Sequence, residues 1–202
     1  VSARRFRDLP SRSGARAQLG LPQDRMIALY VGRMVPGKGI EELGEALDGL
    51  GKGATVCVAV GDGPLRSELE RRPNAICLGA RPPEDVAVAM AAADMLVLPS
   101  YSEGLPTVLM EAALADLPVV TTDAPGCIDL AADGRALVVP VGDAPALRRA
   151  IEAAAADPVA GRKRARAMRT YIESCCTLET NTARLVAHYR RIFAAACKAQ
   201  IA

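Results

Sequence analysis

The sequence is poor in aromatic side chains and has almost no histidine. It contains no tryptophan, four tyrosines and two phenylalanines, whereas half of its 202 residues are hydrophobic. The core must therefore be built mainly from Ala, Val, Leu and Ile. The single histidine, His188, lies in the C-terminal tail and has no partner in the pattern. We interpret it as a surface or packing residue rather than a catalytic one.

The cysteines lack the spacing of a metal or redox site. No C-x-x-C pair is present, which argues against the common zinc and dithiol motifs. Cys57 and Cys77 lie in apolar, strand-like runs, where a free thiol behaves as a small hydrophobic group. We therefore expect a reducing, cytoplasmic setting. The six cysteines are Cys57, Cys77, Cys127, Cys175, Cys176 and Cys197.

Long apolar runs and a strong charge of one sign are also missing. No run approaches the length of a membrane span, and the first residues lack the pattern of a signal peptide. The formal net charge of +2 is too small to predict nucleic acid or an acidic membrane as a partner. The chain begins with Val1 rather than Met, which suggests a fragment; peripheral attachment to the inner face of a membrane would depend on the missing part.

Strand-like and helix-like patterns alternate about six times between residues 25 and 157. Short connections and this alternation predict an α/β fold, a Rossmann-like parallel sheet of about six strands with helices on both faces. Residues 1–24 lack clear periodicity and are interpreted as a linker. Residues 158–202 are predicted to form C-terminal helices, broken near residues 175–177, that pack on the domain. The strand-like runs are 26–31, 55–60, 75–78, 95–98, 118–121 and 137–139. The helix-like segments are 40–50, 65–71, 83–93, 106–115 and 144–156.

Glycine-rich loops follow most of these strands. In an open parallel sheet, ligands bind beyond the carboxyl ends of the strands, where the strand order reverses. Loops that leave those ends can therefore converge on one crevice. These loops are 32–39, 61–63, 79–81, 100–107 and 122–126.

The first of these loops carries two cations, Arg33 and Lys38, after Gly32. Glycine allows the backbone to approach an anion closely, and guanidinium and ammonium groups both bind phosphate. We interpret the loop as a phosphate site rather than a basic surface. The run Gly32-x-x-x-x-Gly37-Lys38-Gly39 nearly matches a P-loop, but Gly39 stands where that motif has the hydroxyl that binds magnesium. A nucleoside triphosphatase is therefore disfavoured.

The turn at residues 61–64, Gly-Asp-Gly-Pro, is a weaker signal. Gly-x-Gly alone is not specific for a dinucleotide, and Pro64 replaces the usual continuation. A tight strand-to-helix turn is the favoured interpretation, and Asp62 is a candidate for lining the crevice.

Two glutamates, Glu103 and Glu111, flank a predicted helix start. Pro106 is expected at the first helical position, where its missing N–H costs nothing. Free N–H groups at such a start attract anions, so two carboxylates there call for a ligand with both phosphates and hydroxyls. A nucleotide sugar has both. The alternative is a capping Glu103 and a solvated Glu111, although Glu111 lies between Met110 and apolar residues 112–114.

Taken together, these motifs resemble the C-terminal half of a family 4 glycosyltransferase of the GT-B fold. The resemblance runs in order through nearly the whole chain, and its order and spacing make it specific. It departs at residues 126–129, Gly-Cys-Ile-Asp, where the family often has Gly-x-Pro-Glu. The matching segments are 31–39 with G-R-x-x-x-x-K-G, 60–65 with G-D-G-P-L, 92–100 with A-A-D and L-P-S, and 102–112 with the E-x7-E signature.

The resemblance implies a role for each matched residue. Arg33 and Lys38 would hold the diphosphate and stabilise the departing nucleotide, Glu103 would contact sugar hydroxyls, and these three are the expected catalytic residues. Glu111 would bind the ribose. The further donor-binding residues implied are Gly32, Gly104, Leu105, Thr107, Asp62 and Arg81, the last near the base. Family members are generally metal-independent and retain anomeric configuration, so no metal or cofactor is implied.

The resemblance also implies the function and what the chain lacks. We expect a donor-binding domain that takes a nucleoside-diphosphate sugar, a UDP-sugar first, for transfer to a glycan or lipid-linked acceptor. A GT-B enzyme binds its acceptor largely through an N-terminal domain that has no counterpart here. A non-catalytic nucleotide-sugar-binding module remains an alternative, and a GT-B epimerase or phosphorylase is a weaker one.

Overall fold

The computed structural model describes residues 1–51 and 55–199. Within these ranges the chain folds into a parallel sheet covered by helices. The strands are β1 (Met26–Val31), β2 (Thr55–Val60), β3 (Ala75–Gly79), β4 (Met95–Leu98), β5 (Val119–Thr122) and β6 (Leu137–Val139). The helices are α1 (Arg12–Leu19), α2 (Ile40–Gly49), α3 (Arg66–Glu70), α4 (Pro83–Ala92), α5 (Thr107–Leu114), α6 (Cys127–Ala131), α7 (Ala144–Ala156), α8 (Pro158–Cys175) and α9 (Leu178–Ala199). A 3₁₀ turn at Ala3–Phe6 precedes them.

The strand order in the sheet is β3-β2-β1-β4-β5-β6. Strands β1, β2 and β3 lie side by side in chain order. The chain then crosses back, and β4, β5 and β6 extend the sheet on the other side of β1. All five strand pairings are parallel. The order therefore reverses between β1 and β4, and the loops that follow these two strands leave the sheet in opposite directions. A crevice at this point is the expected ligand position for such a sheet.

The core lies on both faces of the sheet, as the alternation of side chains along a strand requires. In β1, Ile27 and Leu29 pack on the face covered by α1, α4, α5, α6 and α8. Ala28 and Tyr30 pack on the opposite face with α2, α3 and α7. All four side chains are fully buried. The predicted α/β fold, with helices on both faces, is confirmed.

Most helices and strands lie at the positions predicted from the sequence. The bounds of β1, β2, β4, β6 and α7 match the prediction, and α8 and α9 are separated at residues 176–177. Residues 200–202, which the sequence also assigned to the C-terminal helices, lie outside the described residues, as does the side chain of Cys197. No helix within residues 1–51 and 55–199 combines the length and the apolar character that crossing a bilayer requires.

The structure corrects the interpretation of residues 1–24 as a linker. This segment holds the 3₁₀ turn and α1, and Phe6, Ala15 and Leu21 are buried in the core. Arg16 on α1 is also buried, because its guanidinium binds three backbone carbonyls and the carboxylate of Asp94. Helix α1 is polar on average, and one of its buried residues is Arg16, so the sequence shows no apolar run there that would predict it.

Candidate functional site

A cavity of about 290 Å³ opens at the carboxyl ends of β1 and β4, where the strand order reverses. It brings together residues from the two loops that the sequence singled out. Both predicted cations, Arg33 and Lys38, and both predicted carboxylates, Glu103 and Glu111, line it. The remaining lining residues are Tyr30, Val31, Gly32, Leu98, Leu105, Pro106, Thr107 and Val108.

The loop after β1 is held by contacts with its own strand and with the loop after β4. The buried Tyr30 hydroxyl donates a hydrogen bond to the Arg33 carbonyl at 2.8 Å, and burial raises the pKa of Tyr30 above its ordinary value. Gly39 has a φ of +69°, and a Cβ at this position would lie 2.1 Å from the Pro99 carbonyl oxygen. Only glycine allows this approach between the loops that follow β1 and β4. The position of Lys38 between them is therefore set by backbone contacts.

Lys38 and Glu103 form an ion pair inside the cavity. Their Nζ and Oε1 atoms are 2.7 Å apart, and the side chains are 21% and 16% exposed. The fully buried Ser100 donates a second hydrogen bond to the same carboxylate oxygen at 2.7 Å. The backbone N–H of Glu103 donates to the Pro125 carbonyl at 3.1 Å. Three loops thus hold Glu103 in place.

Glu111 lies on α5 and lines the same cavity. Its side chain is 20% exposed, so the alternative of a solvated Glu111 is wrong. Burial raises the pKa of Glu111 above the ordinary value, whereas the nearby Arg5 guanidinium and the N-terminal amine lower it. The Nη1 of Arg5 lies 3.3 Å from Glu111 Oε1. Glu111 is therefore an acid whose charge depends on a neighbouring arginine.

The start of α5 also faces the cavity. Pro106 was expected at the first helical position, but the helix begins at Thr107, and Pro106 precedes it with an extended backbone (φ −71°, ψ 97°). No side chain caps this helix. Thr107 and Val108 line the cavity and carry first-turn N–H groups, which lack partners within a helix. The positive end of the helix dipole therefore lies at the cavity wall.

Three predicted donor-binding residues do not line the cavity. Gly104 belongs to the same loop as its neighbours but lies outside the lining. The exposed Asp62 accepts a hydrogen bond from the Gly63 N–H at 2.8 Å. Arg81 is exposed, and its Nε donates to the Leu78 carbonyl at 3.1 Å. The structure thus assembles Gly32, Leu105 and Thr107 around the charged set and leaves these three apart; the roles of all of them stay predictions.

Sequence reasoning missed three residues that shape the site: Arg5, Tyr30 and Ser100. Ser100 had a signal, since it lies three residues before Glu103 in a loop already singled out. Tyr30 had a weaker one, as the only aromatic residue in its strand. Arg5 had none, because it contacts a residue 106 positions away. Among residues 1–51 and 55–199, no three His, Cys, Asp or Glu side chains cluster as a metal site would require.

Comparison with known proteins identifies relatives of this chain. A family model described as glycosyl transferases group 1 matches residues 11–174. A Bacillus subtilis (strain 168) protein, named as a glycosyltransferase of teichuronic acid biosynthesis, is 44% identical over 136 residues, which are 67% of this chain and 34% of that protein.

Solved structures share the fold. A sucrose-phosphate synthase from Thermosynechococcus elongatus matches with a TM-score of 0.81 and 31% identity, over 96% of this chain and 51% of that one. Anabaena HepE, solved in complex with UDP and glucose, matches with a TM-score of 0.83 and 22% identity, over 94% and 55%. The chain thus spans about a third of the curated relative and about half of each structure. With a family model covering most of its length, the chain belongs to the glycosyl transferases group 1 family.

Proposed function

We propose that this chain is the donor-nucleotide half of a retaining glycosyltransferase that uses a nucleoside-diphosphate sugar. One observation carries the proposal: one cavity at the reversal of strand order is lined by Arg33 and Lys38 together with Glu103 and Glu111. Cations suit a diphosphate, and carboxylates suit hydroxyl groups. A nucleotide sugar offers both kinds of group within one molecule.

The cations and the start of α5 would act on the diphosphate. When the bond between the anomeric carbon and the diphosphate oxygen breaks, negative charge develops on the leaving nucleotide. Arg33, Lys38 and the N–H groups at Thr107 and Val108 are placed to stabilise that charge, and fixed donors of this kind commonly supply much of the rate enhancement. In this mechanism the residues of the chain stabilise the charge on the leaving nucleotide, without a bound metal ion.

The carboxylates would act on the hydroxyls at the two ends of the donor. Glu103 lies beside Lys38 and is assigned to the sugar, next to the bond that breaks. Glu111 lies on α5 and is assigned to the ribose diol. It is four residues beyond the helix start at Thr107, or about 6 Å along the helix axis, whereas Glu103 lies in the loop before the helix.

UDP is the favoured nucleotide, and a second domain is required for transfer. The support for UDP is the likeness of fold to a structure that holds UDP and glucose. The support for a second domain is that the chain spans about half of the solved structures it matches. Acceptor binding and transfer therefore belong to a longer protein, and this chain alone is expected to bind the donor without transferring it.

Calorimetric titration with UDP-glucose, GDP-mannose and ADP-glucose tests the proposal. We expect saturable binding of at least one donor, and weakening by about tenfold or more in Lys38→Ala, since a charge-assisted hydrogen bond contributes roughly 1.5–3 kcal/mol. Lys163→Ala, on the exposed side of α8, is the matched control and should bind like the wild type. Equal affinities in both variants, or no binding of any donor, would overturn the assignment.

A further inference from the structure

The carboxylate of Glu111 has one ionic partner in the part of the chain that the structure describes, and that partner comes from a distant segment. Arg5 lies just before the first helix, 106 residues from Glu111, yet its Nη1 reaches Oε1 at 3.3 Å. No hydrogen bond to Oε2 is found among residues 1–51 and 55–199. Arg5 thus holds Oε1 of the carboxylate. The other oxygen, Oε2, is open to a ligand in the cavity that Glu111 lines.

Arg5 is itself held in place by its segment. The 3₁₀ turn at Ala3–Phe6 packs against α4 and α5, and the Phe6 side chain next to Arg5 is buried. At the start of the segment, the Val1 carbonyl accepts a hydrogen bond from the Leu178 N–H at 2.7 Å. The segment is therefore tied at both ends, and Arg5 reaches Glu111 from fixed backbone rather than from a free tail.

We propose that Arg5 is a positioning residue for ribose recognition, which orients the Glu111 carboxylate and keeps it ionised so that it can accept hydrogen bonds from the ribose diol. This inference rests on the proposed function, since it assumes a nucleoside diphosphate in the cavity. Arg5 is outside the cavity lining and acts through Glu111, not on the ligand.

The chemistry explains why an arginine is needed there. A carboxylate accepts a hydroxyl hydrogen bond much more strongly when it is ionised than when it is protonated. Glu111 is four-fifths buried, and burial favours the protonated form. A nearby guanidinium opposes that effect, and its Nη1 contact at 3.3 Å restrains one carboxylate oxygen. Without Arg5, Glu111 would be less charged and would lose that restraint.

The test compares two ligands that differ only at the ribose, UDP and 2′,3′-dideoxy-UDP. We expect the wild-type chain to prefer UDP by about 10- to 100-fold, because two hydroxyls bind a charged acceptor. Arg5→Ala should reduce this preference to within about threefold while leaving the affinity for dideoxy-UDP unchanged. Arg5→Lys should restore part of it, because the charge is kept, and the exposed Arg7→Ala is the matched control.

The outcomes separate this inference from the proposed function. In a Glu111→Gln background, replacing Arg5 by Ala should have no further effect on the preference, which shows that the two residues act as a unit. A retained preference in Arg5→Ala, or an equal loss of affinity for both ligands, overturns the role of Arg5 alone. A wild-type chain that binds UDP without preferring it overturns the ribose assignment. A wild-type chain that does not bind UDP overturns the proposed function and this inference together.

Discussion

The ammonium of Lys38 and the carboxylate of Glu103 lie 2.7 Å apart, so two groups predicted to act on different parts of the donor are paired with each other in the cavity. The guanidinium of Arg33 forms no ion pair within the described residues. An incoming diphosphate therefore meets one free cation first and must share Lys38 with Glu103. The pair keeps Lys38 in place, but it also competes with the ligand.

This competition predicts opposite effects for the two partners. Lys38→Ala should weaken UDP binding by about tenfold or more, whereas Glu103→Gln should bind UDP as well as the wild type or up to about tenfold tighter. Removing the carboxylate charge frees the ammonium for phosphate, and the isosteric amide keeps the hydrogen bond from Ser100. Titration of both variants with UDP measures the effect, and UDP-glucose should lose in Glu103→Gln the sugar contact that UDP lacks. A Glu103→Gln variant that weakens UDP as much as Lys38→Ala would contradict the pairing.

Two glycines in the loop after β1 form a matched pair for testing how Lys38 is placed. Gly37 and Gly39 have φ values of +81° and +69°, but a Cβ at Gly37 meets no atom within 4 Å, whereas at Gly39 it would lie 2.1 Å from the Pro99 carbonyl oxygen. Gly37→Ala should cost about 1–2 kcal/mol, the penalty for the left-handed backbone alone. Gly39→Ala should cost roughly 1–3 kcal/mol more, because the two loops must move apart.

Urea unfolding and UDP titration of the two variants give the comparison. Because Lys38 lies between the two glycines, Gly39→Ala should also weaken UDP binding, whereas Gly37→Ala should bind UDP nearly as the wild type does. Equal unfolding free energies for the two variants would mean that the loops are not in the contact described here.

The fold was predictable because its signals are local. Strand β1 is an uninterrupted apolar run followed by Gly32, and α7 is preceded by Asp143, whose carboxylate accepts a hydrogen bond from the Ala146 N–H as a helix cap should. The charged set was predictable for a related reason, since Lys38 and Glu103 both lie in loops that follow buried strands. A parallel sheet brings such loops to one edge whatever the details of packing.

The missed features depend on contacts that no local pattern reports. Helix α1 looks polar because Arg16 is one of its core residues, and its partner Asp94 is 78 positions away. Helix α6 spans only Cys127–Ala131, which is too short to show a helical period. The contact of Arg5 with Glu111 joins a segment interpreted as a linker to the centre of the site. Long-range pairing of charged groups is decided by packing, which the sequence does not display.

The ion pair of Arg16 and Asp94 predicts a large loss of stability away from the site. Asp94 Oδ2 accepts from Arg16 Nη2 and from the Ile27 N–H, both at 2.7 Å. Asp94→Ala leaves a buried guanidinium without its counter-charge and should cost about 3–5 kcal/mol. Arg12 also contacts Asp94, but its side chain is 58% exposed, so Arg12→Ala should cost no more than about 1 kcal/mol.

Urea unfolding of the two variants measures this difference. Asp94 precedes β4, at the end of the sheet opposite the cavity, so folded Asp94→Ala should bind UDP as the wild type does. If the alanine variant is unfolded, Asp94→Asn keeps the shape and should lose a smaller part of the stability. A loss below about 1 kcal/mol in Asp94→Ala would show that the buried pair does not stabilise the fold.

The raised pKa of Glu111 predicts how ribose recognition depends on pH. Burial raises this pKa above 4.5, and Arg5 and the N-terminal amine, the charged groups near Glu111, oppose the rise. The ionised form is the better acceptor, so the preference for UDP over 2′,3′-dideoxy-UDP should fall as the pH falls through the pKa of Glu111. The two ligands carry the same diphosphate. The ratio of their affinities therefore reports Glu111 and not the titration of phosphate.

Replacing Arg5 should raise the pH at which the preference for UDP is lost. Without the guanidinium, burial acts with less opposition, so the pKa of Glu111 rises and the preference in Arg5→Ala should be lost at a higher pH than in the wild type. In Glu111→Gln the preference should be small and independent of pH, because the amide does not titrate. Calorimetry at several pH values within the range where the chain stays folded provides the measurement. If the preference for UDP still depends on pH in Glu111→Gln, the titrating group is not Glu111. If the preference in Arg5→Ala is lost at a lower pH than in the wild type, Arg5 does not lower the pKa of Glu111 as inferred.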